Sequence, residues 1–317
     1  MNKRTRRTLL IVAAVLILLA VAIFLRSKAP PEAARLLPES DGIVYIDFKP
    51  IRAFYHKDLK PPQRAAEYQQ FINAVGIDPE RDLDQAAIAL HRMQPADGPN
   101  GPVAYSMVLV GRLTGQRLNQ WLEAHATARE GYAGKTIYSV PSENRTVRVA
   151  QIGYDMLAVS NYPTAEMIHS IIDRHRAAAL PFSGSTLLER HYRDVPLLSL
   201  AWGVGQIGLP FSESGAISIF GFRLPLEADS TIIASLRWTG SLHLRVEEIA
   251  PSENKAASQA ASMATLVTLA RGITLPLGGN SANNSLKELL STADVEQKHD
   301  HVVITANLPP SFLTGLE

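Results

Sequence analysis

The stretch TIIASLRWTGSLHLRV, residues 231–246, decides the fold class. Its two ends, 231–237 and 242–246, read as a pair of strands with no helix between them. In the second strand Leu242, Leu244 and Val246 alternate with His243, Arg245 and Glu247, the two-residue period of a half-buried strand. Strand pairs without a crossover helix point to antiparallel sheet.

Outward from this pair the same grammar continues. Residues 42–48 (GIVYIDF) are a β-rich run ended by Pro50. Residues 86–90 and 103–110 read as strands either side of a Pro/Gly/Asn/Asp loop, and 135–140, 147–152, 156–160, 197–202 and 302–305 read as further strands. Residues 64–75 place Ala65, Tyr68, Ile72 and Val75 on one helical face, stopped by Gly76. Thr114 is placed to cap a helix carrying Leu118, Trp121 and Leu122. Another helix turns Ala165, Ile168, Ile171 and Ile172 inward. Ser252 is placed to cap an Ala-rich helix over 254–271, closed by Gly272, and a short helix follows near 286–290. In the long helix Ala257, Ala260, Ala261 and Ala264 read as packing positions that let it lie close to a sheet.

The order recurs. DMLAVSNYP (155–163) matches HVVITANLP (301–309), each a strand followed by Asn-x-Pro, and strand–strand–helix occurs at 86–125 and again at 231–271. The expected class is therefore α+β: mostly antiparallel sheets with packed helices, in two similar strand–strand–helix halves, 39–180 and 181–317, preceded by one transmembrane helix.

That helix is read from residues 9–25, LLIVAAVLILLAVAIFL, which carry no polar side chain. A run of ~17–20 apolar residues is enough to span a bilayer core as a helix. Lys3, Arg4, Arg6 and Arg7 precede it, while only Arg26 and Lys28 follow closely, so the basic stub 1–8 stays in the cytoplasm and the rest is exported. The rival is a signal peptide cleaved after Ala22 in the A-x-A match 20–22; the apolar run continues past that site through Leu25, which favours an uncleaved anchor. Residues 26–38 then read as a tether stiffened by Pro30 and Pro31.

The 317 residues carry a formal charge of +1, but beyond residue 28 there are 25 Lys+Arg against 30 Asp+Glu. A mildly acidic exported part argues against nucleic acid, which needs a basic face. There is no cysteine, so disulfides, thiolate metal sites and cysteine nucleophiles are excluded.

No motif names a reaction. Gly203, Gly205 and Gly208 fit G-x-G-x-x-G after a strand, but Pro210 and a Ser/Gly stretch follow where a helix should start, and nicotinamide cofactors are scarce outside the cytoplasm. Asp78, Glu80, Asp82 and Asp84 alternate as calcium ligands do, yet Leu83 and Ala89 stand where that loop needs glycine and an acid; a polar turn is the plainer reading. His299 and His301 lack further zinc ligands nearby. Glu166, His169 and Asp173 share a helix face opposite the isoleucines and read as a solvated face. G-x-S-x-G, H-E-x-x-H and S-x-x-K are all absent. No catalytic residue, cofactor or metal is therefore expected. The apolar, Gly-containing stretch 207–226 is the candidate interaction surface, through Ile207, Leu209, Phe211, Ile219, Phe220 and Phe222. The alternative for it is a buried strand pair turning at 212–215.

The basic-then-apolar start, LLPESDGIVYIDF (36–48), GIDPERDLDQAAIAL (76–90) and the late Ala-rich helix together resemble uncharacterised bacterial envelope families with one N-terminal anchor and a periplasmic α+β domain. The resemblance implies a single-pass membrane protein with its domain in the periplasm and brings no activity. The reading is a non-catalytic envelope protein that binds a protein partner or organises a complex. Two alternatives stand beside it: a carrier or sensor of an apolar ligand such as lipid, and an extracytoplasmic hydrolase with dispersed residues.

Overall fold

A computed structural model describes residues 12, 29–55, 64–94, 101–177, 184–206, 216–219, 222–225, 230–272 and 288–308. In chain order the first part gives α1 (Glu32–Arg35), β1 (Gly42–Asp47), α2 (Phe48–Tyr55), α3 (Ala66–Val75), α4 (Pro79–Asp82), β2 (Leu83–Arg92), β3 (Val103–Gly111), α5 (Gln116–His125), β4 (Ala128–Tyr132), β5 (Lys135–Ser142), β6 (Arg145–Gln151), β7 (Met156–Ser160) and α6 (Glu166–Arg176). There follow α7 (Thr186–His191), a 3-10 turn (Tyr192–Asp194), β8 (Ser199–Gln206), β9 (Ala216–Ile219), β10 (Phe222–Pro225), β11 (Thr231–Trp238), β12 (Leu242–Ile249), α8 (Glu253–Gly272), β13 (Asp294–Lys298) and β14 (His301–Leu308).

The class is α+β with a large antiparallel sheet and several helices. Among the described residues, twelve strands form one sheet in the order β13-β14-β12-β11-β8-β1-β2-β3-β7-β6-β5-β4, and β9 pairs with β10 apart from it. Centrally β1 and β8 run antiparallel, with Tyr45 opposite Trp202 and Val44 opposite Gly203. Outward from β1 the order is β2, β3, β7, β6; outward from β8 it is β11, β12, β14, β13.

Both faces of the sheet are covered. On one, Ile43, Ala87, Val108, Ala158, Val204 and Ile233 meet Ile168, Ile171 and Ile172 of α6, Leu188 of α7 and the α1 segment. On the other, α3 and α5 bring Val75, Leu118 and Leu122 to Val140 and Leu157, while Val267 of α8 joins Leu242 and Ala306. Each fully buried Leu or Ile contributes about 1.5–3 kcal/mol, so this three-layer arrangement is dictated by the alternating strand pattern.

Several expectations need correction. Residues 31–37, expected as part of the tether, belong to the core: Ala33, Ala34 and Leu37 are 0% exposed. Pro31 caps the start of α1, where proline is tolerated because that N–H has no helical partner. Pro50 does not end a strand into a loop; it lies in the first turn of α2 for the same reason. Thr114 does not cap α5; its hydroxyl donates to Tyr154 O at 2.7 Å, and Gly115 stands at the cap. The packed side of α8 is Ala256, Ala260, Met263 and Val267, and Ala257, Ala261 and Ala264 face solvent. Gly203 and Gly205 are internal to β8, paired to β1 and β11. A Cβ on Gly203 would make only an ordinary 3.5 Å contact with Ile43 O, and the glycine lies within a strand paired on both sides.

Strands β4 and β13 went unread because AREGY and DVEQK carry no apolar alternation; both are edge strands, where charge discourages pairing with other chains. The expected anchor, 9–25, lies outside the described residues apart from Val12. Among the described residues no helix is long and apolar enough to cross a membrane.

Candidate functional site

Each carboxylate of the alternating acidic row has a basic partner. Asp78 accepts from Glu80 N as the cap of α4, and Arg64 reaches both Asp78 and Glu80. Asp82 meets Arg81 at 2.9 Å and Arg112 at 3.0 Å, and the Arg81 hydrogen bond holds it below the usual carboxylate range. Asp84 is engaged by Arg52 and Lys49. The row is a set of ion pairs locking the start of β2, and among the described residues no group of three His, Asp or Glu is arranged to hold a metal.

The expected solvated face of α6 is partly covered. His169 stacks on Tyr132 of β4 with ring centroids 3.8 Å apart, and Tyr132 Oη donates to Asp173 at 2.8 Å. The histidine there helps seat an edge strand.

A histidine–serine chain that the sequence did not announce lies inside the sheet. His91 Nε2 is 3.0 Å from Ser106 Oγ, which is 3.0 Å from Ser160 Oγ. Both serines are 0% exposed and His91 is 5% exposed, so no substrate reaches them. Burial pushes the His91 pKa below its ordinary 6.5, against the pull of Asp41 and the Glu39 backbone. The unfolded chain therefore takes the proton more readily. This contribution is complete above pH 6.5 and is lost as pH falls below it, by at most about 1.4 kcal/mol per pH unit. Urea unfolding of His91→Gln and wild type between pH 7.5 and 5 should show a shallower pH slope for the variant.

The accessible site is elsewhere. Arg245 and Glu247 sit two apart on β12, opposite Ser235 and Ile233, and so share the face of the sheet on which Trp202 and Val204 lie. Glu247 is 6% exposed. Its Oε2 accepts from Arg245 Nη2 at 2.6 Å and Nε at 3.2 Å, and its Oε1 lies 2.6 Å from His301 Nδ1. The other ring nitrogen of His301 is 3.4 Å from Asp300 Oδ1. His299 is in the tight turn between β13 and β14 with φ +56°.

Over Arg245 and Glu247 comes the segment that ends α7. Tyr192, Arg193, Asp194, Val195, Pro196 and Leu197 wall a cleft of about 570 Å³ with Arg245 and Glu247. Tyr192 is anchored edge-on against Trp202, ring centroids 5.4 Å apart, and Trp202 stacks on Tyr45 at 5.5 Å. Burial raises the pKa of both tyrosine hydroxyls. At the rim Leu197 is 47% and Leu198 86% exposed, and Leu198 holds φ +62°. Ser199 Oγ donates to Pro196 O at 2.7 Å and closes this turn. A tight turn wants Gly or Asn at such a position.

Of the expected interaction surface, Ile207, Leu209, Phe211 and Phe220 lie outside the described residues. Ile219 and Phe222 are direct cross-strand partners in β9–β10. Ala216 likewise faces Pro225, while the expected turn at 212–215 lies outside the described residues. Sequence reasoning missed the cleft because its walls are some fifty residues apart. The signals present were a leucine pair flanked by Pro196 and Ser199, and an Arg-x-Glu on a strand face.

Fold and site define the class in structural terms: a broad antiparallel sheet flanked by helices, with a charged cleft where a loop meets the sheet. No family model matches the chain, and no curated protein matches it. Six solved chains do. They include crystal form III of TP0453, at TM-score 0.48 and 9% identity over 89% of this chain and 95% of that one. Crystal form I of TP0453 gives 0.46 and 9% over 90% and 95%.

Proposed function

We propose that the protein is a non-catalytic, single-pass envelope protein, with a cytoplasmic N-terminus and an exported domain that binds a protein partner through the cleft rim. The observation that carries this is Leu198. A leucine in the left-handed region costs about 1–2 kcal/mol, and it is spent here to hold an aliphatic side chain out in water next to a second one. Exposed apolar groups held in strained backbone favour contact with another surface.

The hydrolase alternative is weakened by His301, both of whose ring nitrogens face carboxylates, leaving none to draw a proton from a nucleophile. The apolar-ligand alternative wants an apolar cavity, and this one contains two Arg and two acids. Two similar halves, 39–180 and 181–317, fit the matching strand order outward from β1 and β8 and the matching places of β7 and β14. Residues 207–226 are a second contact surface in this reading.

The test is affinity capture of the full-length protein from membranes, with wild type against Leu197→Ser/Leu198→Ser, read by mass spectrometry for proteins and lipids. The double variant should melt within a few degrees of wild type and lose its protein partners; unchanged capture would sink the proposal. Leu198→Gly should stabilise by up to about 1 kcal/mol, since relief of strain exceeds the backbone entropy that glycine loses. Its partner capture should nonetheless fall.

A further inference from the structure

We infer that the cleft recognises an acidic side chain next to an aliphatic one on the partner protein; this rests on the protein-binding reading above. The carboxylates of the cleft are recessed and its guanidiniums are forward. Glu247 is 6% exposed and Asp194 24%, whereas Arg245 is 36% exposed and Arg193 82%. A ligand entering the cleft therefore meets positive charge first.

Glu247 also prepares Arg245. It takes two of the five guanidinium N–H groups, through Nε and Nη2, and leaves the Nη1 edge for another acceptor. His301 occupies the second oxygen of Glu247, so the glutamate holds the arginine in one orientation and is not itself left for a ligand. A guanidinium fixed in this way loses little side-chain freedom when a carboxylate docks on it. A single carboxylate matches the one open edge. A phosphate dianion, which needs several converging donors, would sit over the buried charge of Glu247.

The aliphatic half of the motif follows from the rim. Val195, Pro196 and Leu197 line the apolar side of the cleft, and Leu198, 86% exposed, follows directly in the chain. A volume of about 570 Å³ lies in the range of small-ligand pockets and takes a few side chains rather than a folded element.

The experiment pans a phage library of random decapeptides on the immobilised full-length protein. Recovered peptides should carry Asp or Glu beside Leu, Ile, Val or Phe, and recovery on Arg193→Glu should fall about tenfold or more, the equivalent of about 1.4 kcal/mol. Arg193 is exposed and its reversal leaves the fold intact; Arg245→Gln should repeat the loss. Acid-free peptides recovered equally on Arg193→Glu but lost on Leu197→Ser/Leu198→Ser would overturn the acidic preference and leave protein binding standing. No recovery above the bare support would overturn both.

Discussion

A Gly111→Ala chain should be strongly destabilised, with its urea midpoint far below that of wild type. Gly111 ends β3 at φ +156°, where the pairing with β2 slips between Leu83 and Gln85. A Cβ placed there would lie 2.1 Å from Asp82 O and 2.9 Å from Asp84 N. Neither obstacle is a side chain that can swing away. Both belong to the segment tied down by Arg112 N donating to Asp82 O at 2.8 Å and by the ion pairs of Asp82. The cost should exceed about 4 kcal/mol, against a total stability of about 5–15 kcal/mol for a typical domain. Gly131→Ala is the control: it lies on edge strand β4 with nothing within 4 Å of the new Cβ, and should be neutral or stabilising by up to about 1 kcal/mol. Urea titrations followed by circular dichroism decide it; a Gly111→Ala midpoint close to wild type would show that the β2–β3 bulge relaxes.

Trp202→Ala should cost about 3–5 kcal/mol, the usual loss for a buried large aromatic. Trp202 is 3% exposed in the central strand, stacked on Tyr45 and in edge contact with Tyr192. It therefore does two things: it fills the middle of one face of the sheet, and it supports the first residue of the cleft wall. Trp202→Phe separates them. Phenylalanine keeps most of the stacking with Tyr45 but is too short to reach Tyr192 as before, so stability should drop by about 1–2 kcal/mol while partner capture falls further. Equal capture by wild type and Trp202→Phe would mean that the loop keeps its position without the indole.

The strands could be read where a sheet face alternates with little interruption. β11 and β12 are the clearest, with Leu242 and Val246 buried opposite Trp238 and Ala234. The same alternation put Glu247 on the polar side, and it is on that side. What the pattern does not carry is what lies above that side: a cleft wall, so that Glu247 is buried in a charge cluster. On α8 the small residues are spread all round, and three of the alanines read as packing positions point outward instead. From sequence β8 is expected to stop at Trp202 because glycine is a poor strand former, yet Gly203 and Gly205 continue it, paired on both sides. The site itself was almost illegible: the distance from Tyr192 to Arg245 along the chain leaves no periodicity, and the strain at Leu198 is a property of backbone angle, invisible in residue identity.

On the anchored reading proposed above, the burial of α1 would set a mooring length. With an anchor ending at Leu25, only residues 26–30 separate the bilayer from Pro31, where the packed domain begins. Five residues, fully extended, reach about 18 Å. A domain held this near a lipid surface would search for partners in two dimensions, among proteins embedded in or lying on the same membrane, and at an effective concentration set by membrane area instead of compartment volume. Inserting a flexible stretch of Gly and Ser between residues 28 and 30 would lengthen such a mooring, and would trade that local crowding for reach.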